Sequence, residues 1–427
     1  MKKLLKGGVI VGASGCRKAD LLIDGERIEA VGEALSCPEA EVIDVRGKLL
    51  FPGFLDAHTH FDLEVCNTVT ADDFYTGGRS ALRGGTTTVI DFACPNKGET
   101  LHTGLARWHE KADGKTGCDY GFHMTIDDWN DGIRAELPQM FDEGISSFKM
   151  YMTYPAMMIG DEAMFHALRE MKRLGGIVGV HCENAGMIDA LIAEKKATGA
   201  LSPASHPLCR PAEAEAEAVG RLLKLARVAD VPVMIVHLST AAALREVEAA
   251  RGLGQKVFVE TCPHYLLLTD KALESQDADY RMNPPLREEE DRLALIEGLK
   301  DGTLDAIATD HAPHTPQEKA DFRKAPNGSI GMETSLAATL TALEGVLTLP
   351  QILEKMSTAP ARILGIPAGT LQVGANADVV LFDPEKKWVV DPEKLHGKSK
   401  NTPFKGMKLK GKVALTIFRG RIVYDGR

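Results

Sequence analysis

Five apolar segments of the chain carry or end in residues able to bind a cation or move a proton. His58-Thr59-His60 closes one, Lys149 lies within Ser147-Phe148-Lys149-Met150-Tyr151, and His181, His237 and Asp310 close three more. His58 and His60 are two apart, a spacing that points both imidazoles to one face of a strand. Two neutral imidazoles side by side begin a site for zinc or a similar cation. Such a pair also occurs as solvated or hydrogen-bonded histidines; His181, His237 and Asp310 at three other strand ends make the metal the better reading. Asp310, in Ala308-Thr309-Asp310-His311-Ala312-Pro313-His314, can bind an ion and take a proton from water. An isolated aspartate there would more simply cap a helix over residues 316–320. Lys149 is costly to bury, and its ammonium cannot bind a metal. A depressed pKa, conversion to a carbamate, or a surface position at an irregular strand end would each account for it, and residue type does not choose among them.

These residues need elements that bring them together. Short apolar, β-branched runs cover Gly53 to His58, Thr87 to Asp91, Gly121 to Ile126, Ser146 to Met150, Ile177 to His181, Val233 to His237, Lys256 to Glu260 and Asp305 to Asp310. Amphipathic stretches fall between most of them: Phe74 to Arg83, Asp161 to Leu174, Ala212 to Val228, Ala241 to Ala250 and Glu289 to Leu299. Apolar strands alternating with helices predict a parallel sheet covered on both faces, and eight units predict closure into a barrel. The C-terminal strand ends then converge on one rim, where barrel active sites sit. The Ala/Glu alternation of Pro211 to Val219 reads as an exposed helix face.

Both ends of the chain read as short strands and turns. Gly8 to Gly12, Ala19 to Ile23 and Arg27 to Val31 come first, with Asp24-Gly25 as a hairpin signal. Ala377 to Phe382, Val413 to Phe418 and Arg421 to Tyr424 come last, with Arg419-Gly420 as a turn. The expected fold is α/β: a (β/α)8 TIM-type barrel over residues 52–363, with a small β-sandwich domain built from both termini, residues 1–51 and 364–427.

The 427 residues are 44% hydrophobic, ample for a large core, and carry a formal net charge of -10. That balance argues against nucleic acid and against an anionic membrane surface as partners. No segment approaches a membrane span, and the basic start, Met1 to Lys6, runs into Gly7-Gly8 without the apolar region of a secretory signal. Cys16, Cys37, Cys66, Cys94, Cys118, Cys182, Cys209 and Cys262 form no CxxC pair. Scattered, partly in apolar runs, they fit reduced thiols in a cytoplasmic protein. His102, His109, His123, His166, His206 and His396 are expected in helices or loops and have no partner pattern; His264, after the seventh run, could line the rim.

Phe51-Pro52-Gly53-Phe54-Leu55-Asp56-Ala57-His58-Thr59-His60, Phe148-Lys149-Met150-Tyr151-Met152-Thr153-Tyr154, His181-Cys182-Glu183-Asn184, His237-Leu238-Ser239-Thr240 and Ala308-Thr309-Asp310-His311 together resemble the amidohydrolase superfamily. The resemblance spans essentially the whole chain and is to the cyclic-amide branch of dihydropyrimidinases (hydantoinases), allantoinases and dihydroorotases. It implies two divalent metal ions, usually Zn2+. His58, His60 and Asp310 would hold one ion and His181 and His237 the other, with N6-carboxylated Lys149 bridging them. It implies that Tyr154 stabilises the tetrahedral intermediate and that the backbone near Asn283 and Asn327 grips the substrate. It also implies a homo-oligomer, tetramer or dimer.

Within that branch, Thr68-Val69-Thr70-Ala71-Asp72-Asp73-Phe74, Asp91-Phe92-Ala93 and Lys97-Gly98-Glu99-Thr100 look like hydantoinases. Asn283-Pro284-Pro285-Leu286-Arg287, Asp310 to His314 and Asn401-Thr402-Pro403-Phe404 look more like dihydroorotase; hydantoinases more often have a serine-like residue at position 283. Dihydroorotases bind their substrate carboxylate with an arginine two residues after the HxH, where this chain has Asp62. An anion there repels a buried carboxylate, and Arg79, Arg83 and His314 are no evident replacement. The expected activity is therefore hydrolysis of dihydropyrimidines or 5-substituted hydantoins to N-carbamoyl amino acids. Dihydroorotase is the alternative, then allantoinase. Non-enzymatic scaffold relatives have lost metal ligands, whereas all six ligand positions here are filled by competent residues.

Overall fold

A computed structural model describes residues 2–65 and 68–427; Met1, Asn67 and Cys66, one of the eight cysteines considered above, lie outside the described residues. The other seven cysteines are free thiols. No described helix is long and apolar enough to cross a membrane.

Strands from the two termini join in one eight-stranded sheet. Lys3–Gly12 lies between Gly15–Asp24 and Leu49–Pro52 and also pairs with Glu41–Asp44; Gly15–Asp24 continues to Arg27–Gly32. Leu49–Pro52 pairs antiparallel with Val379–Val389, which continues to Lys408–Phe418 and Arg421–Asp425. The period of two divides the side chains between two cores. Leu50, Val379 and Leu381 face a cluster with Leu5, Leu21, Ile43 and Leu415, closing the small sandwich. Phe51, Val380 and Phe382 face the larger core of the barrel. Phe418 pairs directly with Arg421, and Arg419 and Gly420, between them, both have positive φ; that is the two-residue hairpin geometry matching strand twist.

Eight parallel strands form the barrel: Phe54–Thr59, Thr86–Ala93, Asp119–Thr125, Ser147–Tyr151, Ile177–His181, Val233–Ile235, Val257–Thr261 and Ala306–Ile307. They fall on the eight predicted runs, the sixth and eighth being shorter. The shortfall is at the C-terminal ends, where Val236 to His237 and Ala308 to Asp310 leave the ladder and carry site residues. The ring closes where Thr59 bridges His311 and His60 N–H donates to His311 O at 2.9 Å. Buried Asp56 holds the same seam from below, accepting from Thr309 N–H at 3.1 Å and from Thr309 Oγ at 2.6 Å.

The predicted helices are present as Phe74–Gly84, Asp161–Leu174, Ala212–Ala229, Ala241–Gly252 and Glu289–Asp301. Asp73 caps the first in a capping box with Thr76, and Gly85 ends it in the left-handed region. Ala212–Ala229 corrects one expectation. Ala214, Ala218, Leu222 and Ala226, four apart, are buried, and so is Glu215. The Ala/Glu run therefore presents one carboxylate to the interior, where Glu215 accepts from Ser239 N–H at 2.9 Å. Residues 316–319 form a turn rather than a helix, so Asp310 caps none.

Replacing Asp56 with alanine leaves the Thr309 donors buried without an acceptor. A loss of about 2–3 kcal/mol of stability is expected, read as a lower urea midpoint; an unchanged midpoint would show that the seam is held elsewhere.

Candidate active site

The strand ends bring the expected residues to one rim. His58 is the penultimate residue of the first strand, with His60 one residue beyond its end; Lys149 is central in the fourth, His181 ends the fifth, and His237 and Asp310 follow the sixth and eighth. Ligand atoms of His58, His60 and Asp310 all lie within 4.8 Å of one another. His60 Nε2 is 3.1 Å and His58 Nε2 3.4 Å from Asp310 Oδ1. The rings of His181 and His237 are centred 4.5 Å apart, and that of His237 lies 5.3 Å from His58. The two groups of imidazoles are thus neighbours.

Lys149 is fully buried, and its amine has no hydrogen-bond partner. Nζ sits 4.9 Å from the centre of the Phe92 ring, whose centre is 4.6 Å from that of His58 and 4.9 Å from that of His60. Phe92 is thus an apolar wall shared by the amine and the HxH pair. Burial pushes the Lys149 ammonium well below the ordinary lysine range, against the pull of Glu260 and Asp310. Burial likewise drives His58 and His237 far down, so both imidazoles are neutral and keep a lone pair.

Two carboxylates outside the expected set orient these rings. Glu260 Oε1, at the seventh strand, is 2.8 Å from His58 Nδ1, which leaves His58 Nε2 toward Asp310. Glu183 Oε2 is 2.7 Å from His181 Nε2 and also accepts from Arg210 Nη1. Burial raises the Glu183 carboxyl, but Arg210 and His181 overcome it and hold it down at about 2. A carboxylate on one ring nitrogen fixes the tautomer and frees the other for an ion. Both were readable in part: Glu183 is two residues after His181, on the same side of an extended chain, and Glu260 is itself a strand-end polar residue. Arg210 comes from the long connection between the fifth and sixth strands and gave no local signal.

Tyr154 follows the fourth strand, its ring centre 5.1 Å from that of His181, and its Oη accepts from Asn283 Nδ2 at 3.0 Å. Asn283 is buried, with Oδ1 unpartnered. Asn327 is turned otherwise: its side chain accepts from Arg281 Nε at 3.0 Å, and its carbonyl from His314 Nε2 at 3.2 Å. Tyr154, His237 and Asp310 all have positive φ, a costly conformation for non-glycine residues that clusters at functional sites. Among the histidines given an ordinary reading, His123 lies on the third strand rather than in a helix or loop, with Nε2 3.0 Å from Ala57 O inside the barrel. His102, His109 and His396 have carboxylate partners. His264 is buried against Tyr265, ring centres 4.2 Å apart. Arg79 packs on Tyr75 and Arg83 on Tyr424.

Residues 49–423 match the model of the Amidohydrolase family. The D-hydantoinase of Geobacillus stearothermophilus is 39% identical over 437 residues, covering 99% of this chain and 93% of that protein. The crystal structure of a dihydropyrimidinase from Brevibacillus agri NCHU1002 superposes with a TM-score of 0.97 at 40% identity, covering 100% of this chain and 95% of that one. The L-hydantoinase (dihydropyrimidinase) structure from Arthrobacter aurescens gives a TM-score of 0.91 at 31% identity, covering 100% and 97%. The chain belongs to the amidohydrolase family, in its hydantoinase and dihydropyrimidinase group. That family is metal-dependent, and the His58–His60–Asp310 cluster is a metal-competent site in this chain.

Glu260→Ala removes the acceptor from His58 Nδ1. The affinity of the His58–His60–Asp310 group for a divalent cation should fall about 10–100-fold, measured by competition with a chelator; unchanged affinity would contradict the orienting role.

Proposed function

We propose that this chain is a metal-dependent hydrolase that opens the cyclic amide bond of dihydropyrimidines or 5-substituted hydantoins, releasing N-carbamoyl amino acids. The observation that carries the reading is the convergence of His58, His60 and Asp310 with His181 and His237 around the unpartnered Lys149 amine, in a chain of the hydantoinase group.

The donor set suits two divalent ions. His58, His60 and Asp310 would hold one, His181 and His237 the other, and N and O donors in such numbers favour Zn2+. The amines and imidazoles left unpartnered in the interior (Lys149 Nζ, His60 Nδ1, His237 Nδ1) support a site completed by further groups. Lys149 supplies one of these as its N6-carboxylate. Burial favours the neutral amine, whose lone pair would attack carbon dioxide; one proton leaves and a carbamate forms, which would give two further oxygen donors for the ions. When bound, the ions would lower the pKa of water toward neutrality and polarise the ring carbonyl.

The chain's own residues do the rest. Asp310 takes the proton of the attacking water and returns it to the ring nitrogen as the C–N bond breaks. Tyr154, its oxygen already accepting from Asn283, has its own proton to give to the oxyanion. The backbone at Asn283 and Asn327 grips the ureide edge. Asp62, where a substrate carboxylate would need a cation, disfavours dihydroorotate. Arg210 and Arg287, the buried cations nearby, are drawn into a network with Glu183, Ser239 and Glu215. The enzyme is proposed to work in the cytoplasm, which the seven free thiols support. It is further proposed to assemble as a dimer or tetramer, which the exposed Leu208 and Met187 support.

Dihydrouracil, a 5-substituted hydantoin, dihydroorotate and allantoin assayed side by side test the reading. Ring opening of the first two is expected, lost about 100- to 10,000-fold in Asp310→Ala. Turnover of dihydroorotate alone, or an unimpaired Asp310→Ala, would overturn it.

A further inference from the structure

Around His181 runs a chain of buried charges. The oxygen of Glu183 that faces His181 Nε2 at 2.7 Å also accepts from Arg210 Nη1. The Arg210 guanidinium has a second neighbour: its carbon lies 5.7 Å from the centre of the Tyr154 ring. Arg210 is itself anchored. Its carbonyl accepts from Arg287 Nη1, Arg287 Nε donates to Ser239 Oγ at 3.0 Å, and Ser239 Oγ donates to Glu215 at 3.1 Å. Glu183, Arg210, Glu215, Ser239 and Arg287 are all buried, and their charges cancel. The network begins at His181 and runs through Ser239, two residues past His237, to Glu215.

We propose that Arg210 is a positioning residue that acts on His181 through Glu183 and on Tyr154 through the face of its ring. The inference rests on the reading above, in which His181 binds one of two ions and Tyr154 donates to the oxyanion. A carboxylate at His181 Nε2 holds the proton on that nitrogen and leaves the Nδ1 lone pair for the ion. Glu183 can do this while buried only with a cation beside it. The same cation over a phenol ring favours negative charge developing at the phenol oxygen, which makes the Tyr154 O–H a stronger donor as the oxyanion forms. One guanidinium therefore couples the ligand to the oxyanion donor. Lysine could keep the charge near Glu183, but it lacks the planar fork that reaches the carboxylate while lying over the ring.

The test compares the wild type with Arg210→Gln, Arg210→Lys and the neutral double variant Glu183→Gln/Arg210→Met. Zinc per chain is measured by plasma mass spectrometry against a graded weak chelator, and kcat and KM are measured on a hydantoin. In Arg210→Gln the more weakly held ion should be lost at about 10–100-fold lower chelator than in the wild type. Its kcat should fall roughly 100-fold while KM moves little. Arg210→Lys should recover the ion but only part of kcat. The double variant has no unpaired buried charge, so it tests the inference even if Arg210→Gln fails to fold; it should still hold the second ion weakly. The inference is overturned if the double variant, or a folded Arg210→Gln, binds both ions as tightly as the wild type with kcat unchanged. A wild type that never holds a second ion would instead refute the two-ion reading itself.

Discussion

A primary amine with no hydrogen-bond partner, walled by aromatic rings at the core of a parallel barrel, is the constraint around which the site is arranged. An ammonium at Lys149 would be buried beside the ring of Phe92 and among imidazoles. Burial resolves the conflict by favouring the neutral amine. The same burial keeps His58 and His237 neutral. The two imidazoles are thus held as lone-pair donors, the state that ligand chemistry requires, and the amine is shifted toward the same state.

The carboxylates supply the complementary order. Asp56 closes the seam between the first and eighth strands, two residues before His58. Asp91 accepts from Thr59 Oγ at 2.9 Å and from Phe61 N–H at 2.8 Å, bracketing His60 on both sides. Trp108 Nε1 donates to the other Asp91 oxygen at 3.0 Å. Glu260 and Glu183 orient His58 and His181. Each of these acids is spent on holding a rim histidine or the backbone that carries it, while Asp310 stands beside His58 and His60 with its backbone in the left-handed region. The barrel lets residues such as His60 and Asp310, 250 positions apart, share one rim without any loop having to be rigid on its own.

Much of this was legible in the sequence because it obeys short-range rules. The eight apolar runs landed on the eight strands, Ile177–His181 to the residue, and Asp161–Leu174 likewise among the helices. The HxH spacing and the polar strand ends pointed to the rim. Lys149 was visible as an anomaly, but its use came from family resemblance alone. What escaped depends on distant packing. Arg210 meets Glu183 only because a long connection folds back to the segment just after the fifth strand, and Glu215 turns inward from a run whose composition reads as solvent-facing. Asn327 shows the opposite case: the sequence position was marked, but its side chain is taken up by Arg281.

The proposed carbamate on the buried amine of Lys149 would complete the metal site. The direct measurement is carbon-13 NMR of the metal-free enzyme reconstituted with zinc in carbon-13-labelled bicarbonate. One slowly exchanging carbamate resonance per chain, absent from Lys149→Ala prepared in the same way, is the predicted result. Full zinc content and activity with no such resonance would contradict it.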